Sequence, residues 1–194
     1  MEIERKHKLP DNDFSALKAR LAELGFCEEK KKHQVDAYYL RAGQSDEDTH
    51  FKIGDEAGYL RLRHDVAASA FSFDLKLVNE QNRSGIFGEY ECSLNDKKSF
   101  DNCDEILKLI GFRRACVVDK MREGWRRGEF EIALDAVEGL GKFVEIEIIA
   151  DEAEAKAALA RVDAFAAELG LGTHTRILTG YVDLFAWKRI GKKF

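Results

Sequence analysis

Charged residues recur two apart along this chain, and they group by sign. Glu2 and Glu4 precede Lys6; Arg61 and Arg63 precede Asp74 and Lys76; Glu89 and Glu91 precede Lys120 and Arg122; Asp135 precedes Glu145 and Glu147. A β-strand turns successive side chains to opposite faces, so residues two apart share a face. Like charges placed so repel, and a partner or ligand must offset them. Hard divalent cations such as Mg²⁺ take oxygen ligands, usually one or two carboxylates, waters and the phosphate oxygens of a substrate. Glu2, Glu4, Asp135, Glu145 and Glu147 could supply the carboxylates. Arg holds phosphate oxygens as a planar fork and Lys as a point charge. Arg61, Arg63, Lys76, Lys120 and Arg122 are the candidates for that role. The pattern therefore points to a metal–polyphosphate site, where positioning and charge neutralisation count for more than covalent chemistry.

Any one of these pairs is explained by a half-buried antiparallel strand with a solvated face. The set is not, because ordinary surface strands mix neutral polar residues with both signs. The elements that carry it are legible. Period-two alternation marks eight strands, at about Met1–Leu9, His33–Leu40, Gly58–Val66, Phe71–Val78, Phe87–Leu94, Ala115–Trp125, Glu129–Asp135 and Lys142–Ile149. Arg126-Arg127-Gly128 reads as a tight hairpin, and Gly139-Leu140-Gly141 as a break. Apolar residues at helical spacing and terminal glycines place helices at about Asp11–Leu24 (capped by Asp11 or Asn12), Asp101–Ile110 and Asp151–Leu169, with a shorter one near Gly180–Lys188. Glu2-Ile3-Glu4 recurs as Glu89-Tyr90-Glu91, and the run ending Leu24-Gly25-Phe26 recurs as Ile110-Gly111-Phe112. The near-constant offset divides the chain into two similar halves, each a strand, a helix and three more strands. An α+β fold satisfies all of this: an eight-stranded antiparallel barrel, or tunnel, with the charged faces lining a wet lumen and helices covering the apolar outside.

Composition bounds the alternatives. The 194 residues are 45% apolar and 35% charged with net charge −5, which suits an ordered globule and speaks against general nucleic-acid binding. With Pro10 alone and no low-complexity linker, residues 1–194 read as one domain. No apolar run reaches the roughly 18 residues of a membrane span, and the amino terminus lacks an apolar signal core. Cys27, Cys92, Cys103 and Cys116 form no Cys-x-x-Cys pair and read as reduced thiols, so a cytoplasmic protein is expected. The scattered histidines show no metal-ligand spacing, and Trp125 and Trp187 read as packing residues.

Glu2-Ile3-Glu4-Arg5-Lys6 resembles the Glu-x-Glu-x-Lys signature of the CYTH family, the triphosphate tunnel metalloenzymes, which groups class IV adenylyl cyclases, thiamine triphosphatases and inorganic tripolyphosphatases. The resemblance continues through Gln34-x-Asp36-x-Tyr38-Tyr39, Leu60-Arg61-Leu62-Arg63, Leu75-Lys76, Glu89-x-Glu91, Lys120-x-Arg122, the run from Leu134-Asp135 to Glu145-x-Glu147, and Tyr181-Val182-Asp183-Leu184. It departs where Gly85 and Phe87 stand in place of a common Arg (Arg83 lies farther back), where Leu40 replaces an Asp, and where Gly180 replaces a Ser. The resemblance implies an eight-stranded tunnel, Mg²⁺ or Mn²⁺, and a small-molecule triphosphate. It implies metal binding by Glu2, Glu4, Asp135, Glu145 and Glu147, with Glu89 and Glu91 as additional acidic candidates. It implies phosphate contacts from Lys6, Arg61, Arg63, Lys76, Lys120 and Arg122. In a hydrolase the nucleophile is a water, metal-bound or oriented by Lys6, attacking the terminal phosphorus, which makes Lys6 the catalytic candidate. The leading expectation is a divalent-metal-dependent triphosphate hydrolase, as monomer or homodimer, with no nucleic-acid or membrane partner. A class IV-like adenylyl cyclase and a non-catalytic polyphosphate-binding module are the rivals.

Overall fold

The computed structural model describes residues 1–10, 13–29, 31–45, 47–53, 56–78 and 86–192. The proposed cap residues Asp11 and Asn12, and Arg83 and Gly85, lie outside them. The fold is α+β. Its strands are β1 (Glu2–Lys8), β2 (Cys27–Glu28), β3 (Lys32–Arg41), β4 (Phe51–Ile53), β5 (Glu56–Asp65), β6 (Ala70–Val78), β7 (Ile86–Leu94), β8 (Phe112–Arg127), β9 (Phe130–Val137), β10 (Gly141–Ile149) and β11 (Thr175–Ile177). Its helices are α1 (Ser15–Glu23), α2 (Lys97–Leu109), α3 (Ala155–Glu168) and α4 (Tyr181–Arg189). All eight expected strands are present. Among the described residues the count rises to eleven, because short β2, β4 and β11 lack enough residues to show a period. Helix α2 begins four residues earlier than its apolar stripe suggests, because the Asp96 carboxylate accepts from the Ser99 backbone N–H at 2.7 Å and caps the first turn.

Backbone contacts gather these elements into two compact units, with β7 and β8 contributing residues to each. In the first, β8, β9, β10 and β1 pair in that order, and β11 and the start of β7 share the other edge of β1. The register sets Glu4 opposite Glu147 and Lys6 opposite Glu145. On the other face of these strands Ile3, Ile132, Leu134, Val144, Ile146 and Ile148 form one core with Leu17 and Leu21 of α1 and Ala158, Val162 and Phe165 of α3. Arg5, on that same face, donates from Nε and Nη2 to Asp163 of α3 at 2.5 and 2.8 Å, so α3 is tied to β1 by charge as well as by apolar contact.

In the second unit the order is β8, β3, β5, β6, β7, with β4 extending the pairing of β5. Asp36, Arg63 and Ser72 stand in one cross-strand row, and Tyr38, Arg61 and Asp74 in the next. The opposite face holds Ala37, Tyr39 and Leu62, packed with Leu107, Phe100 and Cys103 of α2. In both units helices cover the apolar face, α1 and α3 in the first and α2 in the second, as the alternation requires.

Candidate functional site: two charged clusters

In the first unit the β1–β10 register brings carboxylates together. Oxygens of Glu2, Glu4 and Glu147 lie within 4.8 Å of one another. Burial, and then the charges of Glu2 and Glu145, push the Glu147 carboxyl well above its ordinary range. Three converging carboxylates favour either a retained proton or a bound cation. An all-oxygen donor set fits a hard ion such as Mg²⁺ or Mn²⁺ better than zinc. Glu145 and Asp135, also expected as ligands, have cationic partners. Lys6 Nζ is 3.0 Å from both Glu4 Oε1 and Glu145 Oε1. Arg122 donates to Asp135 from Nε at 2.7 Å and from Nη2 at 2.6 Å, and Nη2 also reaches Glu145. Asp135 has no solvent exposure at all, lying under the Arg122 guanidinium. Of the five carboxylates expected to hold metal, the structure thus groups three, and it gives the other two to Lys6 and Arg122.

In the second unit the balance of sign reverses. Arg63 donates to Asp36 from Nε at 2.7 Å and from Nη2 at 2.8 Å, and Lys120 Nζ is 3.8 Å from the same carboxylate. Arg61 donates to Asp74 at 2.8 Å and to Glu89 at 2.7 Å. Burial alone would raise the Asp36 carboxyl, but Arg63, Lys120 and Arg61 together hold it far below the ordinary range. Arg61 is held protonated against its own burial, chiefly by Asp36 and then by Tyr38, Asp74 and Glu89. Lys76 is buried across from Tyr59. The Lys120 ammonium also stands 5.3 Å from the centre of the Tyr181 ring. Four cations are thus concentrated with fewer carboxylates, the electrostatics that a polyanion needs. Glu89 joins this group through Arg61, whereas Glu91 is exposed toward the end of β7.

Sequence reasoning put Asp74 on a charged face and Asp36 in a strand motif but gave neither a role in the site. Both obey the parity that identified their neighbours: Asp36 shares a face with Gln34 and Tyr38, and Asp74 with Lys76. Their role as ion-pair partners needed the register. The histidines take other roles. His33 pairs with Asp119 at 2.9 Å, and His64 stacks on Phe71 with ring centres 4.6 Å apart. Trp125 packs in the core of the first unit.

The sequence matches the CYTH domain over residues 1–181. The chain belongs to the CYTH family. Members of this family are in general metal-dependent, which the carboxylate group above can serve. A protein of Methanocaldococcus jannaschii named "Putative adenylate cyclase" is 30% identical over 147 residues, 76% of this chain and 76% of that one. Among solved structures, one Pyrococcus horikoshii protein superimposes with TM-score 0.78 at 23% identity, covering 95% of this chain and 99% of that one. A second from the same organism gives TM-score 0.76 at 26% identity, covering 97% and 100%. A "putative adenylate cyclase" of Vibrio parahaemolyticus gives TM-score 0.73 at 19% identity, covering 95% and 97%. The CYTH fold therefore extends over nearly the whole chain. No helix among the described residues is long and apolar enough to cross a membrane.

Proposed function

We propose that this CYTH protein is a divalent-metal-dependent triphosphate hydrolase, acting on tripolyphosphate, thiamine triphosphate or a nucleoside triphosphate. The observation that carries the reading is the convergence of Glu2, Glu4 and Glu147 beside the buried Lys6. Glu2, Glu4 and Glu147 would hold the cation, Mg²⁺ or Mn²⁺. When bound, such an ion neutralises phosphate charge and polarises the phosphorus centre toward attack. The remaining work falls to the chain's own groups. Arg61, Arg63, Lys76, Lys120 and Arg122 hold phosphate oxygens and offset charge as the bond to the terminal phosphorus breaks. Lys6, an ammonium between two carboxylates 3.0 Å away, is a hydrogen-bond donor; its part is to orient the attacking water. Asp135 and Glu145 fix Arg122 and Lys6 in place.

The name carried by the M. jannaschii relative favours a second reading, cyclisation of ATP to cyclic AMP and pyrophosphate. The same cation and phosphate contacts serve both reactions; the nucleophile differs. Phosphorus NMR of ATP and of tripolyphosphate, each incubated with the protein and Mg²⁺ or Mn²⁺, separates them. Orthophosphate with ADP, or with pyrophosphate from tripolyphosphate, is expected. Cyclic AMP with pyrophosphate would establish the cyclase instead; no turnover of either makes thiamine triphosphate the next substrate to try, and binding of all three without turnover would leave a polyphosphate-binding module.

A further inference from the structure

The two units contain the same ion pair with its residue types exchanged. In the second unit Asp36 on β3 accepts two bonds from Arg63 on β5, from Nε to Oδ1 and from Nη2 to Oδ2. In the first, Arg122 on β8 donates the same two bonds, from the same atoms, to Asp135 on β9. Asp36 and Arg122 are 86 positions apart, the offset that also relates Leu21 to Leu107. They are equivalent positions of the repeat, so the carboxylate and the guanidinium have traded strands. Exposure follows the same rule in both. Asp36 and Asp135 are each 0% exposed, while Arg63 and Arg122 keep 18% and 17%. The carboxylate lies behind and the guanidinium in front.

The geometry points to Asp36 as a positioning residue for triphosphate binding: it fixes the plane of the Arg63 guanidinium and the reach of Lys120. This rests on the triphosphate reading above and deepens it. Fully covered, Asp36 cannot touch a substrate. Its carboxylate instead takes two of the five donors of Arg63 in a planar fork, and that sets where the rest of the guanidinium points. Lys120, 3.8 Å from Oδ2, is drawn to the same anchor from the neighbouring strand. Were the pair only a staple between strands, either polarity would serve, as the first unit demonstrates. Polarity matters if the guanidinium must stand on β5, in the row between Asp36 and Ser72.

Calorimetric titration with tripolyphosphate, with ATP and with thiamine triphosphate, alongside thermal melts, tests this on the full chain. Asp36→Asn keeps the shape and removes the charge; it is expected to weaken triphosphate binding tenfold or more. Asp36→Glu keeps the charge on a longer arm and is expected to lose less. The double variant Asp36→Arg/Arg63→Asp rebuilds the pair in the polarity of the first unit. It is expected to recover the melting temperature lost in Asp36→Asn without recovering affinity. Affinity restored together with melting temperature, or unchanged in Asp36→Asn, overturns the positioning role. Should Asp36→Asn fail to fold, wild-type affinity in Asp36→Glu or in the exchange variant overturns it equally. Wild-type protein that binds none of tripolyphosphate, ATP and thiamine triphosphate overturns the triphosphate reading, and the inference with it.

Discussion

At the scale of residues, carboxylates do two different jobs. Glu2, Glu4 and Glu147 face one another, with Glu4 also meeting Lys6, whereas Asp36, Asp74, Asp135 and Glu145 are placed by an arginine or lysine and lie outside that group. Removing one of the first kind should cost metal affinity directly. Glu4→Ala is expected to weaken Mn²⁺ binding and metal-supported turnover by about 100-fold, read by titration calorimetry and product release; full turnover in that variant would sink the metal assignment. A carboxylate away from the charged faces gives a separate test of electrostatics. Burial would raise Asp104, but hydrogen bonds from Tyr39, Lys108 and Arg114 lower its carboxyl to about 2. A group whose folded value is depressed contributes stability that is complete above its unfolded value, and that is lost as pH falls toward the folded one. Asp104→Asn should therefore lower stability at neutral pH and flatten its fall between about pH 4 and pH 2. Urea titrations across that range would show it.

At the scale of elements, strand registers bring the chemistry together. Glu145 and Lys6 are 139 positions apart yet directly opposed, because β1 pairs along its full length with β10. The β5–β6 pair is similarly exacting. Gly58 lies against the backbone of β6, and a Cβ there would stand 2.7 Å from the carbonyl oxygen of Lys76. Gly58→Ala must push the strands apart, at a cost of about 1–3 kcal/mol, and must move Lys76 with them. Chemical denaturation should register the first effect, and weakened triphosphate binding the second. Elements with strong periodicity were readable directly: all eight main strands, and the carboxyl-terminal ends of all four helices to within one residue, whereas the starts of α1, α2 and α3 are each displaced by four. The start of α2 was not readable, since its first turn is set by the Asp96 cap and carries no apolar stripe. Strands β2, β4 and β11 were not, because two or three residues take strand form only when a partner already stands beside them.

At the scale of the whole molecule, the two sequence halves are not the two compact units. Element order follows the repeat, with β1, α1, β3, β5 and β6 matched by β7, α2, β8, β9 and β10. The first unit nevertheless combines β1 and α1 with β9, β10 and the end of β8. The second combines β3, β5 and β6 with most of β7, α2 and the start of β8. Each unit thus draws its strand–helix segment from one half and its three-strand segment from the other. Residues 1–78 and 86–194, produced separately, are therefore expected to lack cooperative unfolding, because residues 86–194 would lose β1 from between β10 and β11 and Ile3, Leu17 and Leu21 from their core. Scanning calorimetry of each fragment and of their mixture would decide; a sharp transition from either fragment alone would contradict the exchange.

The sequence by itself determined the faces. Period-two alternation is a local property of an extended backbone, so it separates Glu2, Glu4 and Lys6 from Ile3 and Arg5 whatever the strands pair with. It also determined the chemistry of those faces, because side-chain charge is intrinsic to residue type. Tertiary structure alone decided the partners. Which carboxylates converge on one another and which are taken by arginine depends on registers between strands far apart in the chain. Parity says that Asp135 and Glu147 belong to a charged face; only pairing places the first under Arg122 and the second beside Glu2 and Glu4.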